Sequence, residues 1–263
     1  MRYFYGGVLA LLFAGCDLFE YHPYEVRIPD SETNLNAKAI ARLQQTTPAT
    51  DTLTLILMGD TQRFYDEVDD FVSSANKQKA DFVLLDGDIT DFGIRDEFEW
   101  IHEIMSKLNK PYMTVIGNHD LSGNGEKVYK KMYGSLNDSF LYRDFKFILL
   151  NTNSREYAFN GKVPDLDWLQ TQLASDDFQR AVVISHVPPF DDDFDIKLAA
   201  QYNEMLYTSG KVNLSLHGHQ HAFRDTTYNE GHIRYLVSTS MNERMYLLIK
   251  LWDDQVDFKK IFY

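Results

Sequence analysis

The 263 residues, 44% hydrophobic and 14% aromatic, hold material for one large compact domain and too little for two comfortable ones. Asp and Glu (39) outnumber Lys and Arg (26), for a formal charge of -13. That balance leaves no broad basic face along which a nucleic acid backbone could run, so no nucleic-acid partner is expected; an anionic ester could still bind if something local and positive, such as a pair of metal ions, reverses the field in a cleft.

The chain opens with MRYFYGGVLALLFAGC: one Arg, an apolar run too short to span a bilayer as a mature helix, then small residues before Cys16, the only cysteine. This resembles a bacterial lipoprotein signal, although Phe13 stands where such signals usually carry Leu. The resemblance implies that residues 1–15 are a signal peptide and that Cys16 becomes the lipidated mature terminus. It further implies an exported protein of the bacterial cell envelope, held on the membrane surface by acyl chains. An ordinary cleaved signal is the alternative. A lone cysteine in an exported chain makes no intrachain disulfide, which suits a residue kept for its acyl chain. Residues 16–50 are polar, interrupted by Pro23, Pro29 and Pro48, and read as a tether. Within it only Asn34 to Gln45 shows helical spacing, through Leu35, Ile40 and Leu43.

Residues 51–263 form the expected catalytic domain. Short apolar runs at 53–58, 81–85, 111–116, 145–150, 180–185 and 211–216 predict strands. Amphipathic segments at 64–77, 95–108, 125–133, 164–173 and 195–208 predict helices between them, which makes an α/β domain. From His221 onward the pattern changes to closely spaced strands at 222–228, 232–238, 246–252 and 256–262, with no helix between them. An antiparallel sheet added to a partly parallel one is the natural reading.

The informative fact is where the polar residues fall. The strand LTLILM runs into Gly59-Asp60-Thr61-Gln62, and ADFVLL into Asp86-Gly87-Asp88-Ile89-Thr90-Asp91. PYMTVI runs into Gly117-Asn118-His119-Asp120, RAVVIS into His186-Val187-Pro188-Pro189, and KVNLSL into His217-Gly218-His219-Gln220-His221. One Asp after a strand is ordinarily a helix cap or turn former, and one His is ordinarily a hydrogen-bonded structural residue. Five such groups in succession, all at the carboxyl ends of strands where open α/β sheets bind ligands, have no structural reason to recur.

In this order GDITD (87–91), GNHD (117–120), His186 in SHVPP and GHQH (218–221) resemble four of the five signature blocks of the calcineurin-like metallophosphoesterases. The first block departs, since Gln62 stands where the family carries His two residues after Asp60. A glutamine offers a neutral oxygen instead of an imidazole nitrogen, so the first ion would sit in a harder shell.

The resemblance implies a four-layer α/β/β/α sandwich of two mixed β-sheets flanked by helices. It implies two divalent metal ions, manganese, iron or zinc: the first held by Asp60, Gln62, Asp88 and His221, the second by Asn118, His186 and His219, with Asp88 bridging. It implies hydrolysis of a phosphomonoester or phosphodiester by a hydroxide held between the ions. His119 would contact a phosphate oxygen or protonate the leaving group, Asp120 would fix its ring, and Asp91 would support the site from behind. The competing expectation is a surface protein that kept the metal-binding scaffold and lost catalysis through Gln62. Elsewhere His217 is expected to point away from the metals, the run Asp191-Asp192-Asp193 reads as a solvated loop or a cation site, and Asn153 and Arg155 lie in a loop that could reach a substrate.

Overall fold

A computed structural model describes residue 22 and residues 25–47, 50–228 and 231–263. The expected signal peptide and Cys16 lie outside the described residues. No helix among those described is long and apolar enough to cross a membrane.

The helices are α1 (Leu35–Gln44), α2 (Tyr65–Ala75), α3 (Arg95–Met105), α4 (Gly125–Met132), α5 (Leu166–Ala174) and α6 (Ile196–Thr208). The first sheet carries β1 (Leu53–Met58), β2 (Phe82–Leu85), β3 (Tyr112–Thr114), β10 (Met245–Trp252) and β11 (Gln255–Phe262), in the order β11-β10-β1-β2-β3. The second carries β4 (Asp138–Tyr142), β5 (Phe145–Leu150), β6 (Arg180–Ser185), β7 (Val212–His217), β8 (Arg224–Tyr228) and β9 (Ile233–Val237), in the order β4-β5-β6-β7-β9-β8.

The apolar runs are continuous because both faces of the central strands are covered. Along β1 the alternation is explicit: Leu53, Leu55 and Leu57 point between the sheets, where they meet Phe147, Val182, Ile184 and Leu216 of the second sheet. Ile56 and Met58 point the other way, onto Val68, Phe71, Phe98, Ile101 and Val128 of α2, α3 and α4. The far face of the second sheet, through Ile148, Leu150 and Val183, packs on Leu169, Leu173, Tyr202 and Leu206 of α5 and α6. Three apolar layers between four structural layers make the α/β/β/α sandwich that the sequence resemblance implies.

Two expectations change. The late strands do not form a sheet of their own: β9 pairs parallel to β7 with β8 antiparallel beyond it, whereas β10 pairs antiparallel to β1 and β11 to β10. The chain crosses from one sheet to the other between Val237 and Met245, because each sheet has an edge to cover and Leu236 and Leu247 enter the same inter-sheet core from opposite sides. Nor does the tether hang free over its whole length. Helix α1 buries Leu43 in the inter-sheet core, and the Asn36 side chain pairs both backbone groups of Thr114 on β3, at 2.9 and 3.0 Å. A fully satisfied buried amide and a buried leucine tie this segment to the domain.

Candidate metal centre

All five strand-end groups meet at the carboxyl edges of the two sheets. The first sheet delivers Asp60, Gln62, Asp88 and Asn118 after β1, β2 and β3; the second delivers His186, His219 and His221 after β6 and β7. Turning a chain sharply off a strand end strains it here. Asp60, Asp88, His219 and His221 all adopt left-handed backbone, with φ of 50°, 52°, 72° and 53°. Such conformations cost a non-glycine residue about 1 kcal/mol or more and persist where function demands them. Two glycines let the loops close up: a Cβ on Gly87 would lie 2.6 Å from Nδ1 of His186, and one on Gly117 would lie 2.1 Å from the backbone nitrogen of Asp88.

Potential ligand atoms of Asp60, Asp88 and His186 all lie within 4.8 Å of one another, with the three residues buried. Around them, His221 Nε2 stands 3.1 Å from Asp60 Oδ1, and His186 Nε2 stands 3.3 Å from Asp88 Oδ2. The Asn118 Oδ1 atom is 3.0 Å from both His186 Nε2 and His219 Nδ1. Gln62 is buried beside Asp88 and its amide nitrogen donates to Asp88 Oδ2. A half-turn of that terminal amide presents the oxygen instead. All seven residues of the expected ligand set are therefore gathered in one place.

The imidazoles are already oriented. His186 Nδ1 donates to the Asp86 carbonyl at 2.8 Å, which leaves Nε2 as the atom facing Asp88 and Asn118. The His219 ring is gripped at Nε2 by Asp191 and Asp193, each 3.4 Å away, so Nδ1 is the atom presented beside Asn118. Those carboxylates are neighbours of the site that the sequence shows only as an acidic run. Arg155 holds Asp193 in turn, at 3.0 Å. His217, by contrast, lies between the Ser185 and Ser215 hydroxyls at 3.0 and 2.9 Å, stacks on Tyr235, and faces no ligand. Burial drives its pKa down to about 3 and the ring is neutral.

The electrostatics show which kind of ligand the cluster suits. Burial alone would keep His186 neutral, yet Asp88 and Asp60 pull its pKa up to about 10. Burial would raise Asp88, but His186 and the backbone N–H of His119 hold it below the usual carboxylate range. Asp86, fully buried beside Asp60, is pushed by burial and by Asp60 up to about 8, against the pull of the Ser238 hydroxyl. Asp60 Oδ1 is likewise buried and makes no well-aligned hydrogen bond, although His221 Nε2 stands 3.1 Å away. Buried acceptors without donors are expensive unless a cation completes them, so the donor set fits divalent metal.

One expected role moves to another residue. Asp120 does not touch the His119 ring. It is fully buried and accepts from the backbone of Thr90 and Gly117 at 2.8 and 2.9 Å and from the Thr90 hydroxyl at 2.8 Å. Its position clamps the second and third loops together, because a carboxylate pointing inward finds three loop donors closer than any ring. The residue that orients His119 is Asp91, whose carbonyl lies 3.0 Å from Nδ1 and whose carboxylate lies 3.8 Å away; Arg63 pairs with that carboxylate.

Comparison with known proteins agrees with this geometry. A probable glycerophosphodiester phosphodiesterase of Arcobacter nitrofigilis is 28% identical over 120 residues, 43% of this chain and 44% of that protein. A 3',5'-cyclic-nucleotide phosphodiesterase of Nostoc is 25% identical over 172 residues, 62% of this chain and 64% of that protein. The chain thus spans about half to two-thirds of the length of these curated relatives. A dimetal phosphatase from Danio rerio superposes with a TM-score of 0.65 at 14% identity, covering 79% of this chain and 95% of that one, which establishes the fold. The calcineurin-like phosphoesterase model matches residues 53–223, well over half of the chain and the whole span from β1 to the last histidine of the site, so the chain belongs to that family.

Proposed function

We propose that this protein is a metal-dependent phosphoesterase, hydrolysing a phosphomonoester or phosphodiester in the cleft between the carboxyl edges of its two sheets. The observation that carries the proposal is the buried set Asp60, Asp88 and His186, with donor atoms within 4.8 Å of one another and Gln62, Asn118, His219 and His221 around it. Asp60, Gln62, Asp88 and His221 would hold one cation and Asn118, His186 and His219 the other, with Asp88 shared between them. When bound, a divalent pair supplies Lewis acidity toward phosphoryl oxygens and acidifies water.

The chain's own residues do the rest. His219 and His186 are fixed in one tautomer by Asp191, Asp193 and the Asp86 carbonyl. His119 is half-exposed at the mouth of the site, with Nδ1 engaged by the Asp91 carbonyl and Nε2 left for an ester oxygen or the departing alkoxide. The Asp91 carboxylate stands 3.8 Å from the same Nδ1 atom, so the ring is held from that side while Nε2 faces the cleft. The two relatives described above are named as diesterases, so diesters are the first substrates to try.

The test is to strip the protein with chelator, reconstitute it with manganese, iron or zinc, and assay p-nitrophenyl phosphate, bis-p-nitrophenyl phosphate and natural mono- and diesters. Metal-dependent turnover is expected, and Asp88→Asn should reduce it by about 1000-fold and lower metal content, because the shared charge is gone. The second reading, a metal-binding surface protein without catalysis, is favoured by one feature, the Gln62 amide nitrogen turned toward Asp88. Two bound metals with no turnover on any ester would establish it. Export and lipid anchoring through Cys16 belong to the same proposal and are supported by the sequence of residues 1–16. Intact-mass analysis of protein purified from the cell envelope tests them: acylation at Cys16 is expected, and an unmodified chain beginning at Met1 contradicts it.

A further inference from the structure

Beside the metal centre a cleft of about 500 Å³ opens, lined by Asp191, His219, Gln220, Ala222, Phe223 and Arg224. His219 belongs to the proposed ligand set, so whatever enters this cleft adjoins the reacting phosphoryl group. The negative groups on its wall are already satisfied. Asp191 accepts from the Gln220 amide at 2.8 Å and from the Asp193 backbone at 3.0 Å, and Asp193 is held by Arg155. Arg224 is different. Every other arginine among the described residues has a carboxylate or carbonyl partner. The Arg224 side chain makes no ion pair or hydrogen bond among the described residues; its guanidinium lies 4.7 Å from the centroid of the Phe190 ring. That ring is fixed by stacking on Tyr228, with centroids 5.6 Å apart, and by edge contact with Tyr235. In a chain of net charge -13 an arginine without a carboxylate is unexpected. A guanidinium resting over an aromatic platform keeps its N–H fork free and is already partly ordered, so a ligand has less side-chain entropy to remove.

We propose that Arg224 reads the alcohol portion of the substrate and selects phosphoesters that carry a second anionic group, a carboxylate or a further phosphate, beyond the scissile bond. The assignment rests on the phosphoesterase reading for where the first phosphate sits. Arg224 is a specificity residue here: it touches the part of the substrate that leaves and takes no part in bond breaking.

The test uses binding as well as turnover. Non-hydrolysable alkylphosphonates of two to six methylenes, ending either in methyl or in carboxylate, are titrated calorimetrically into the full-length manganese-loaded protein and into Arg224→Gln. At the chain length that spans the cleft, wild type should bind the carboxylate member about 10- to 100-fold more tightly than its methyl counterpart, the range of a charge-assisted hydrogen bond. Arg224→Gln should collapse that ratio to about one. Equal affinities in wild type at every length, or a ratio that survives in Arg224→Gln, would overturn the proposal. A wild type that shows the ratio yet hydrolyses no phosphoester refutes the catalytic reading and leaves the assignment of Arg224 intact.

Discussion

His119 and His102 show how differently two histidines on one domain are used. His119 sits in the third strand-end loop with one nitrogen tied to Asp91 and the other open to the cleft, whereas His102 is on α3, away from the site, with Nδ1 2.6 Å from the Tyr112 hydroxyl. Replacing His119 by Ala should leave metal content intact and slow substrates with poor leaving groups by about 100- to 10,000-fold, the range for removing a general acid. Steady-state kinetics on aryl esters of graded leaving-group pKa measures this; an equal loss across the series rules out proton donation. Burial depresses His102, so the unfolded chain takes up its proton first as the pH drops. Stability that is present above about pH 6.5 is therefore lost below it. Denaturant melts at pH 5 to 8 should show a shallower acid-side decline in His102→Gln than in wild type, and parallel curves would contradict the assignment. Strand-end chemistry made the proposed ligand set readable, since Asp60, Asp88, Asn118, His186, His219 and His221 each follow an apolar run. The supports were not readable: Asp191, Asp193 and Asp86 act through distances across the fold, and adjacency in sequence suggested Asp120 for a task that Asp91 performs.

At the level of elements, strands covered on both faces announce themselves as apolar runs, which is why β1, β5 and β6 match their expected limits residue for residue. β4 was silent because DSFLY mixes polar and apolar residues and its hairpin to β5 turns at Arg143, in left-handed backbone with φ of 56°, where no Gly or Asn signals a turn. The pairing of the last four strands was not legible either, since partner choice depends on which sheet edge lies exposed. Helix α1 carries the clearest energetic consequence. Leu43 is fully buried in the inter-sheet core, so Leu43→Ala should cost about 2 to 5 kcal/mol in chemical denaturation. A loss below about 0.5 kcal/mol would mean that the helix is only laid against the domain.

Seen as a whole, the molecule gathers carboxylates from one sheet and imidazoles from the other along a single edge, so cations bound there would link the two halves of the sandwich. That concentration of charge is also how a chain of net charge -13 could receive an anionic ester, because the local field inside the cleft is set by its cations and not by the surface. The measurement closest to this claim is anomalous scattering from crystals soaked in manganese. The account predicts two peaks about 3.5 to 4 Å apart with Asp88 between them, one beside Asp60 and His221 and the other beside Asn118, His186 and His219. Absence of density at Asp88, or a single peak confined to Asp191 and Asp193, would contradict it.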